Sequence, residues 1–268
     1  MTRTYIFCQR SAFTLVEIAI VLVILGFLAG GVIVGQSLIR AAELRAVVKE
    51  YEQYKIAVNV FKDRFFALPG DMTNATDFWG SAGGGGDIGD GCETATGTGT
   101  QTCNGDGNYE MGSITGSTYT EVFTFWQHLG NSGLIDGIYT GRGDVADPGV
   151  NVPESAYSNA SWKLITSLSP GLPILGYNAD FFEGDYTHWP LMLNAGEGSI
   201  GGPIMTPVDA WGVDRKIDDG KPGIGEVRVE KQLSDCTDGS LLLEAAEAVY
   251  LDTKTIACNL IFINKGFR

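Results

Sequence analysis

The strongest constraint in this chain is an uncharged run of 22 residues, Ile18 to Ile39, entered through a basic lead-in and a single acid, Glu17. Inside hydrocarbon the backbone has no water to bond, so an apolar run of this length is expected to be helical. At 1.5 Å per residue it reaches about 33 Å, against a hydrocarbon core of about 30 Å. The run is therefore long enough to cross a membrane. It exceeds the apolar core of a secretory signal peptide and no A-x-A-like cleavage site follows it, so it is expected to stay in the chain. Arg3 and Arg10 precede it without any acid, which puts the first 12 residues on the cytoplasmic side.

Glu17 is out of place by composition. A carboxylate inside a bilayer costs several kcal/mol and usually marks a partner. At the first turn of a helix, however, the macrodipole and headgroup water offer a plainer reason for an acid. Position alone leaves these two explanations level.

The helical pattern does not stop at Ile39. Arg40 to Phe66 contains no proline or glycine, and Leu44, Val47, Val48, Tyr51, Tyr54, Val58 and Phe61 or Phe65 recur three and four apart, the period of one helix face. Lys49 with Glu52, and Glu52 with Lys55, support the exposed face. Leu68-Pro69-Gly70-Asp71 then ends it, because proline cannot continue a helix. One helix from Phe13 to about Phe66 would be about 81 Å long. Its first half is apolar all round and its second half on one side only.

The remainder is rich in glycine, 37 residues in the whole chain, and acidic, with a formal net charge of -14. That sign opposes counterion release from a phosphate backbone, so nucleic-acid binding is disfavoured. Cys8 lies in the basic lead-in, while Cys92, Cys103, Cys236 and Cys258 lie far beyond the apolar run. Four cysteines in an exported domain suggest two disulfides. Three connectivities are open, and local closure favours Cys92–Cys103 and Cys236–Cys258. Zinc is the weaker alternative, since there is no C-x-x-C spacing and neither His128 nor His188 is near a cysteine.

Beyond a glycine-rich tract from Ser81 to Gly112, the pattern predicts a helix over Thr118–Leu129. Short strands are predicted over Trp162–Ser167, Pro173–Asn178, His188–Asn194, Glu226–Gln232 and Ile256–Asn264, with a helix over Ser240–Leu251. Within the tract, Asn104, Asp106, Asn108 and Glu110 alternate as in an EF-hand loop, but Thr115 stands where the bidentate acid belongs, so a solvated turn is the preferred reading.

Ala12-Phe13-Thr14-Leu15-Val16-Glu17, followed by the long apolar helix, resembles the prepilin signal of type IV pilins and of type II secretion pseudopilins. The resemblance covers Arg10 to about Phe66. It implies cleavage between Ala12 and Phe13 by a prepilin peptidase and N-methylation of Phe13, although Ala12 replaces the glycine usual in that family. It also implies that Glu17 is an assembly contact, matching the amine of a neighbouring subunit's first residue. The implied organisation is a leader at 1–12, a long helix at 13–67 with its transmembrane part at about 13–39, and a head at 68–268. The expected fold is α+β, a long helix packed on an antiparallel pilin-like sheet with disulfide-tied loops. The Cys236–Cys258 closure is similar to the C-terminal disulfide loop of type IV pilins.

Asp209-Ala-Trp-Gly and Asp219-Gly-Lys-Pro-Gly resemble elements of the major pseudopilin, where the second begins a calcium loop. Here they lie closer together, and Glu226 takes the place of a run of aspartates. Asp214, Asp218, Asp219 and Glu226 offer hard oxygens around glycines, which suits calcium. An acidic hairpin turn bonded to itself is equally open.

Catalytic patterns are missing. Gly84 to Gly89 and Gly196 to Gly201 match G-x-G-x-x-G, but no helix follows to receive a phosphate, and no P-loop, G-x-S-x-G or H-E-x-x-H occurs. The expectation is a non-enzymatic structural subunit of a type IV pilus or a type II secretion pseudopilus. Its partners would be the prepilin peptidase, sister subunits and the inner-membrane assembly platform. It would sit in a bacterial inner membrane with a periplasmic head before reaching a surface pilus or a periplasmic pseudopilus. The alternative is a minor pilin with an enlarged head, acting as an adhesin or a ligand- or DNA-binding tip. An exported enzyme on a borrowed pilin helix ranks lowest.

Overall fold

The computed structural model describes residues 14–83, 92, 99–109, 111, 121–143, 145–164, 189–195, 202–230, 235–238 and 246–263. The chain divides into two compact units, Met1–Ala42 and Glu43–Arg268.

Helix α1 runs unbroken over Leu15–Phe65, 51 residues. In the first unit its large apolar side chains, from Leu15 to Ile39, are all exposed. Its most apolar 18-residue stretch has a mean hydropathy of 2.8, enough to cross a membrane. In water such a surface would be a severe liability, and lipid or other helices are what it suits.

In the second unit the same helix becomes one-sided. Val47, Tyr51, Tyr54, Ala57, Val58 and Phe61 are buried, on the face that the sequence spacing predicts. Phe66 closes α1 at φ 55°, its amide bonding the Lys62 carbonyl at 2.8 Å. That is the left-handed exit usually taken by glycine.

Two short helices follow, α2 (Ala75–Trp79) and α3 (Glu121–Asn131). Strands β1 (Ala160–Leu164) and β2 (Leu191–Ala195) come next, then helix α4 (Pro207–Ile217) and strands β3 (Val227–Arg228) and β4 (Leu260–Phe262). The sheet is antiparallel throughout, in the order β1-β2-β4-β3. Its register sets Trp162 opposite Leu193 and Val227 opposite Phe262. Trp162, Leu193, Leu260, Phe262 and Val227 are thereby directed at α1 and α3, and all are fully buried or nearly so.

Aromatic rings join the layers. Tyr51 stacks on Phe262 at 4.6 Å, and Tyr54 meets Trp126 and Trp162 edge-on at 5.1 and 5.5 Å. Edge and offset geometries of this kind add roughly 0.5–1.5 kcal/mol per pair beyond area burial. Glu50, also on α1, accepts hydrogen bonds from Ser155 Oγ, the Ala156 amide and Trp162 Nε1 at 2.6 to 2.7 Å. Three donors on one carboxylate hold the segment before β1 against the helix.

Disulfides join Cys92 to Cys103 and Cys236 to Cys258, with Cα atoms 5.9 and 5.1 Å apart. In the chain-entropy model each closure contributes about 3 kcal/mol.

Two segments differ from the pattern-based expectation. The described residues of the Ser240–Leu251 segment, 246–251, are not helical. They pair with 236–238 instead, with Thr237 bridged to Tyr250 and the Leu251 amide donating to the Cys236 carbonyl at 3.0 Å. The Cys236–Cys258 bond and this pairing hold residues 248–251 out of the helix that propensity favours. Residues 207–217, to which the pattern assigns no element, fold as α4. Thr206 caps it by accepting from the Asp209 amide, with Pro207 in the first turn, a start signal that was present in the sequence. The predicted strand Pro173–Asn178 lies outside the described residues.

Candidate functional site

The first site is the start of α1. Thr14 precedes the helix, and its amide and hydroxyl both donate to Glu17 Oε2, at 2.8 and 2.9 Å, while the Glu17 amide donates back to Thr14 Oγ1 at 3.2 Å. This is a capping box, in which residues three apart satisfy each other's orphan amides at a helix start. The plainer explanation for an acid at this position therefore has concrete geometry in the isolated chain. Glu17 remains exposed. Ala12 and Phe13 lie outside the described residues.

The second site is the turn after α4. Asp214, Asp218 and Asp219 present carboxylate oxygens that all lie within 4.8 Å of one another, Asp214 buried and the other two exposed. Asp214 accepts from the Gly220 amide at 3.0 Å and from Tyr250 Oη at 2.9 Å. Burial pushes its carboxyl up to about 7 against those two bonds, and the charges of Asp219 and Asp218 add to the rise. Gly220 and Gly225 bend the turn at φ 78° and 88°. Glu226, grouped with these acids by the sequence motif, points its carboxylate elsewhere: Oε1 accepts from Tyr51 Oη and Lys55 Nζ, each at 2.5 Å.

A model of the prokaryotic N-terminal methylation motif matches residues 8–33. The chain carries a type IV pilin-like prepilin signal. No curated protein and no solved structure matches the chain. The matched stretch contains Glu17, its capping partner Thr14 and most of the exposed apolar part of α1. Processing by a prepilin peptidase, membrane anchoring and pilin-type assembly are what such a signal implies in general. Gly26, Gly30, Gly31 and Gly35 fall within or just beyond it, and a Cβ added at any of them would meet nothing within 4 Å. Small residues of this kind let a second helix approach closely in a bilayer.

A third acidic group is centred on Asp71, with Asp106 and Glu121. Asp71 accepts from the amides of Gly107 at 2.7 Å, Asn108 at 3.1 Å and Tyr109 at 2.9 Å. The loop that alternates oxygens in EF-hand fashion thus turns its amides inward, and the anion they hold is the chain's own carboxylate. Burial pushes Asp71 up to about 6, with the Tyr109 and Gly107 amides pulling the other way and Asp106 adding to the rise. Asp106 and Glu121 stand beside it, the Asp106 amide donating to Glu121 Oε1 at 3.2 Å. Gly105 packs so tightly that a Cβ there would fall 2.4 Å from the Asp71 Cα. Glu110 lies outside the described residues.

His128 is a core residue. Its Nδ1 accepts from the Gly70 amide at 2.9 Å, which leaves the proton on Nε2, 3.0 Å from Thr102 Oγ1. Burial drives its pKa down to about 3, so the ring is neutral and unsuited to proton transfer at ordinary pH. His188 lies outside the described residues.

Proposed function

We propose that the chain is a structural subunit of a type IV pilus or a type II secretion pseudopilus. The observation that carries this reading is the prepilin-type signal at residues 8–33 running directly into one 51-residue helix that is exposed and apolar first and one-sided later. In this reading the leader is removed between Ala12 and Phe13, Phe13 is N-methylated, and the apolar part of α1 leaves the inner membrane to bundle with sister subunits. Glu17 then meets the new amino terminus of a neighbour in a medium of low dielectric. Mass spectrometry of the chain recovered from assembled filaments should find methyl-Phe13 as the first residue. Recovery of filament subunits that still begin at Met1 would sink the proposal.

A calcium ion at the turn after α4 is the second reading, favoured by the convergence of Asp214, Asp218 and Asp219. The donor set fits: hard carboxylate oxygens on a glycine-bent backbone suit calcium and offer nothing soft enough for zinc selectivity. An ion there would neutralise like charges crowded around a buried carboxylate. At a hundred times its Kd, calcium should stabilise the fold by about 2.7 kcal/mol, a rise of roughly 5–10 °C in Tm at this size. Identical thermal scans in millimolar calcium and in chelator would remove the ion from the reading.

A further inference from the structure

His128 stands where several parts of the chain meet. It lies on α3 with no exposed surface, its ring stacked 6.2 Å from Phe61 of α1 and 5.1 Å from Trp79 of α2. The hydrogen bonds that run through it have a fixed direction. The Gly70 amide donates to Nδ1, Nε2–H donates to Thr102 Oγ1, and the Thr102 hydroxyl donates to Gln127 Oε1 at 2.6 Å. Gln127 Nε2 then donates to the carbonyls of Gln101 and Thr140 at 3.0 and 3.3 Å. Thr102 adjoins Cys103, which is buried together with its disulfide partner Cys92. One imidazole thus fastens the turn after α1 and the loop at residues 99–109 to α3.

This arrangement suits only the neutral ring. A proton on Nδ1 would set one N–H against the Gly70 N–H, and it would bury a charge. Among the described residues no hydrogen bond or ion pair joins His128 to a charged side chain. Lys62, Asp63 and Arg64 of α1 and Asp77 of α2 occupy half-exposed or exposed positions. Asp71, Asp106 and Glu121, from the turn, the loop and α3, are gathered with one another, and Asp71 takes the Gly107, Asn108 and Tyr109 amides.

We propose that His128 is an acid-sensitive pin: its neutral ring locks the disulfide-closed loop and the turn after α1 onto α3, and its protonation lets the loop go. Burial, against a hydrogen bond to the Cys103 backbone, holds its pKa down to about 3, where an unburied histidine has about 6.5. A lowered value means that closure is fully supported above about pH 6.5 and weakens as pH falls towards about 3. In that window the opened loop binds the proton and the closed loop does not, so each unit of acid raises opening up to about tenfold. Asp71 works in the opposite sense: burial pushes its carboxyl up to about 6, so its protonation favours the closed loop. Taking away the share of His128 should therefore leave a loop that acid tightens.

The test follows reduction of Cys92–Cys103 in the full chain in detergent, using a pulse of a water-soluble phosphine, alkylation of the freed thiols and mass spectrometry. Wild type and His128→Gln are compared, since a glutamine amide offers both an acceptor and a donor and does not titrate. The ratio of wild-type to variant rate cancels the contribution of Asp71 and the pH dependence of the reagent. It should rise roughly seventyfold from pH 7 to pH 4.5. The same ratio at Cys236–Cys258, which is equally buried, should stay flat. A flat ratio at Cys92–Cys103 would overturn the pin, and so would an equal rise at both disulfides, which would make the effect one of global unfolding. A second measurement needs no variant: nitrogen-15 spectra of the two histidines in the wild type should show one ring still neutral, in the Nε2–H form, at pH 4.5. Protonation of both rings near pH 6.5 while Cys92–Cys103 stays protected would overturn the pin as well.

Discussion

Replacing Glu17 by alanine is expected to reduce incorporation into filaments more than about a hundredfold while the chain is still inserted and processed. The magnitude follows from the assembly contact proposed for it. Removing one partner of a buried ion pair costs about 3–5 kcal/mol, because the other charge is left uncompensated at low dielectric. In the filament that other charge would be the amine of a neighbour's Phe13. The capping box supplies a second, smaller effect, since alanine also leaves the Thr14 amide without its acceptor, a loss of about 0.5–2 kcal/mol. Glu17→Gln separates the two. Glutamine serves in a capping box as glutamate does but carries no charge, so it should fail in assembly almost as completely as alanine. Quantitative immunoblotting of sheared filaments against total membrane protein reads both variants. Wild-type incorporation of Glu17→Gln would reduce Glu17 to a helix cap.

Replacing Trp162 by alanine should cost about 3–5 kcal/mol of stability, the usual range for deleting a fully buried large aromatic. Trp162 has no exposed surface, lies 5.1 Å from the Phe262 ring, and gives its Nε1 proton to Glu50 at 2.7 Å. The substitution therefore opens a cavity between sheet and helix and takes a donor from a carboxylate that α1 uses to hold the segment before β1. Trp162→Phe removes the donor and the pyrrole half of the indole but keeps a six-membered ring, and should cost about 1.5–3 kcal/mol, the hydrogen bond to a charged group together with a smaller cavity. Chemical denaturation of the full chain in detergent, followed by tryptophan fluorescence, measures both. A loss below about 1 kcal/mol for the alanine variant would mean that α1 and the sheet do not depend on this contact, contrary to its complete burial.

How much was legible in the sequence depends on how local each feature is. The buried face of α1 was readable because Val47, Tyr51, Tyr54, Val58 and Phe61 recur at the period of the helix that displays them. Helix α3 and the positions of four strands were readable to within a few residues for the same reason. Helix α4 was not anticipated although Thr206 and Pro207 carry its start signal, because its apolar residues are few and its buried face includes Asp209 and Asp214. Residues 246–251, the described part of the Ser240–Leu251 segment, differ for another reason: they obey a cross-strand pairing with 236–238 beside a disulfide, which outweighs the few tenths of a kcal/mol per residue of helix propensity.

The acid sites divide along the same line. Asp214, Asp218 and Asp219 are close in sequence, but Asp214 is buried and held by Tyr250 of a distant segment, so their gathering also depends on the packing around α4. Glu226 belongs to the same motif by spacing, yet its side chain is taken by Lys55 and Tyr51, partners that only the docking of α1 on the sheet supplies. Asp71 and the Gly107–Tyr109 amides are a second example, 36 to 38 residues apart.

What the sequence by itself determined is the opening stretch: a prepilin-type signal, a helix long enough to span a bilayer, and an acid at its first turn. Each of these is set by residues within a few positions of one another, through helix period, hydropathy and capping. Only the tertiary structure decided which acids gather at the turn after α4, which one is drawn off to α1, and where the loop amides find their anion. Those choices turn on which donors burial brings within about 3 Å, and chain neighbours carry no record of that.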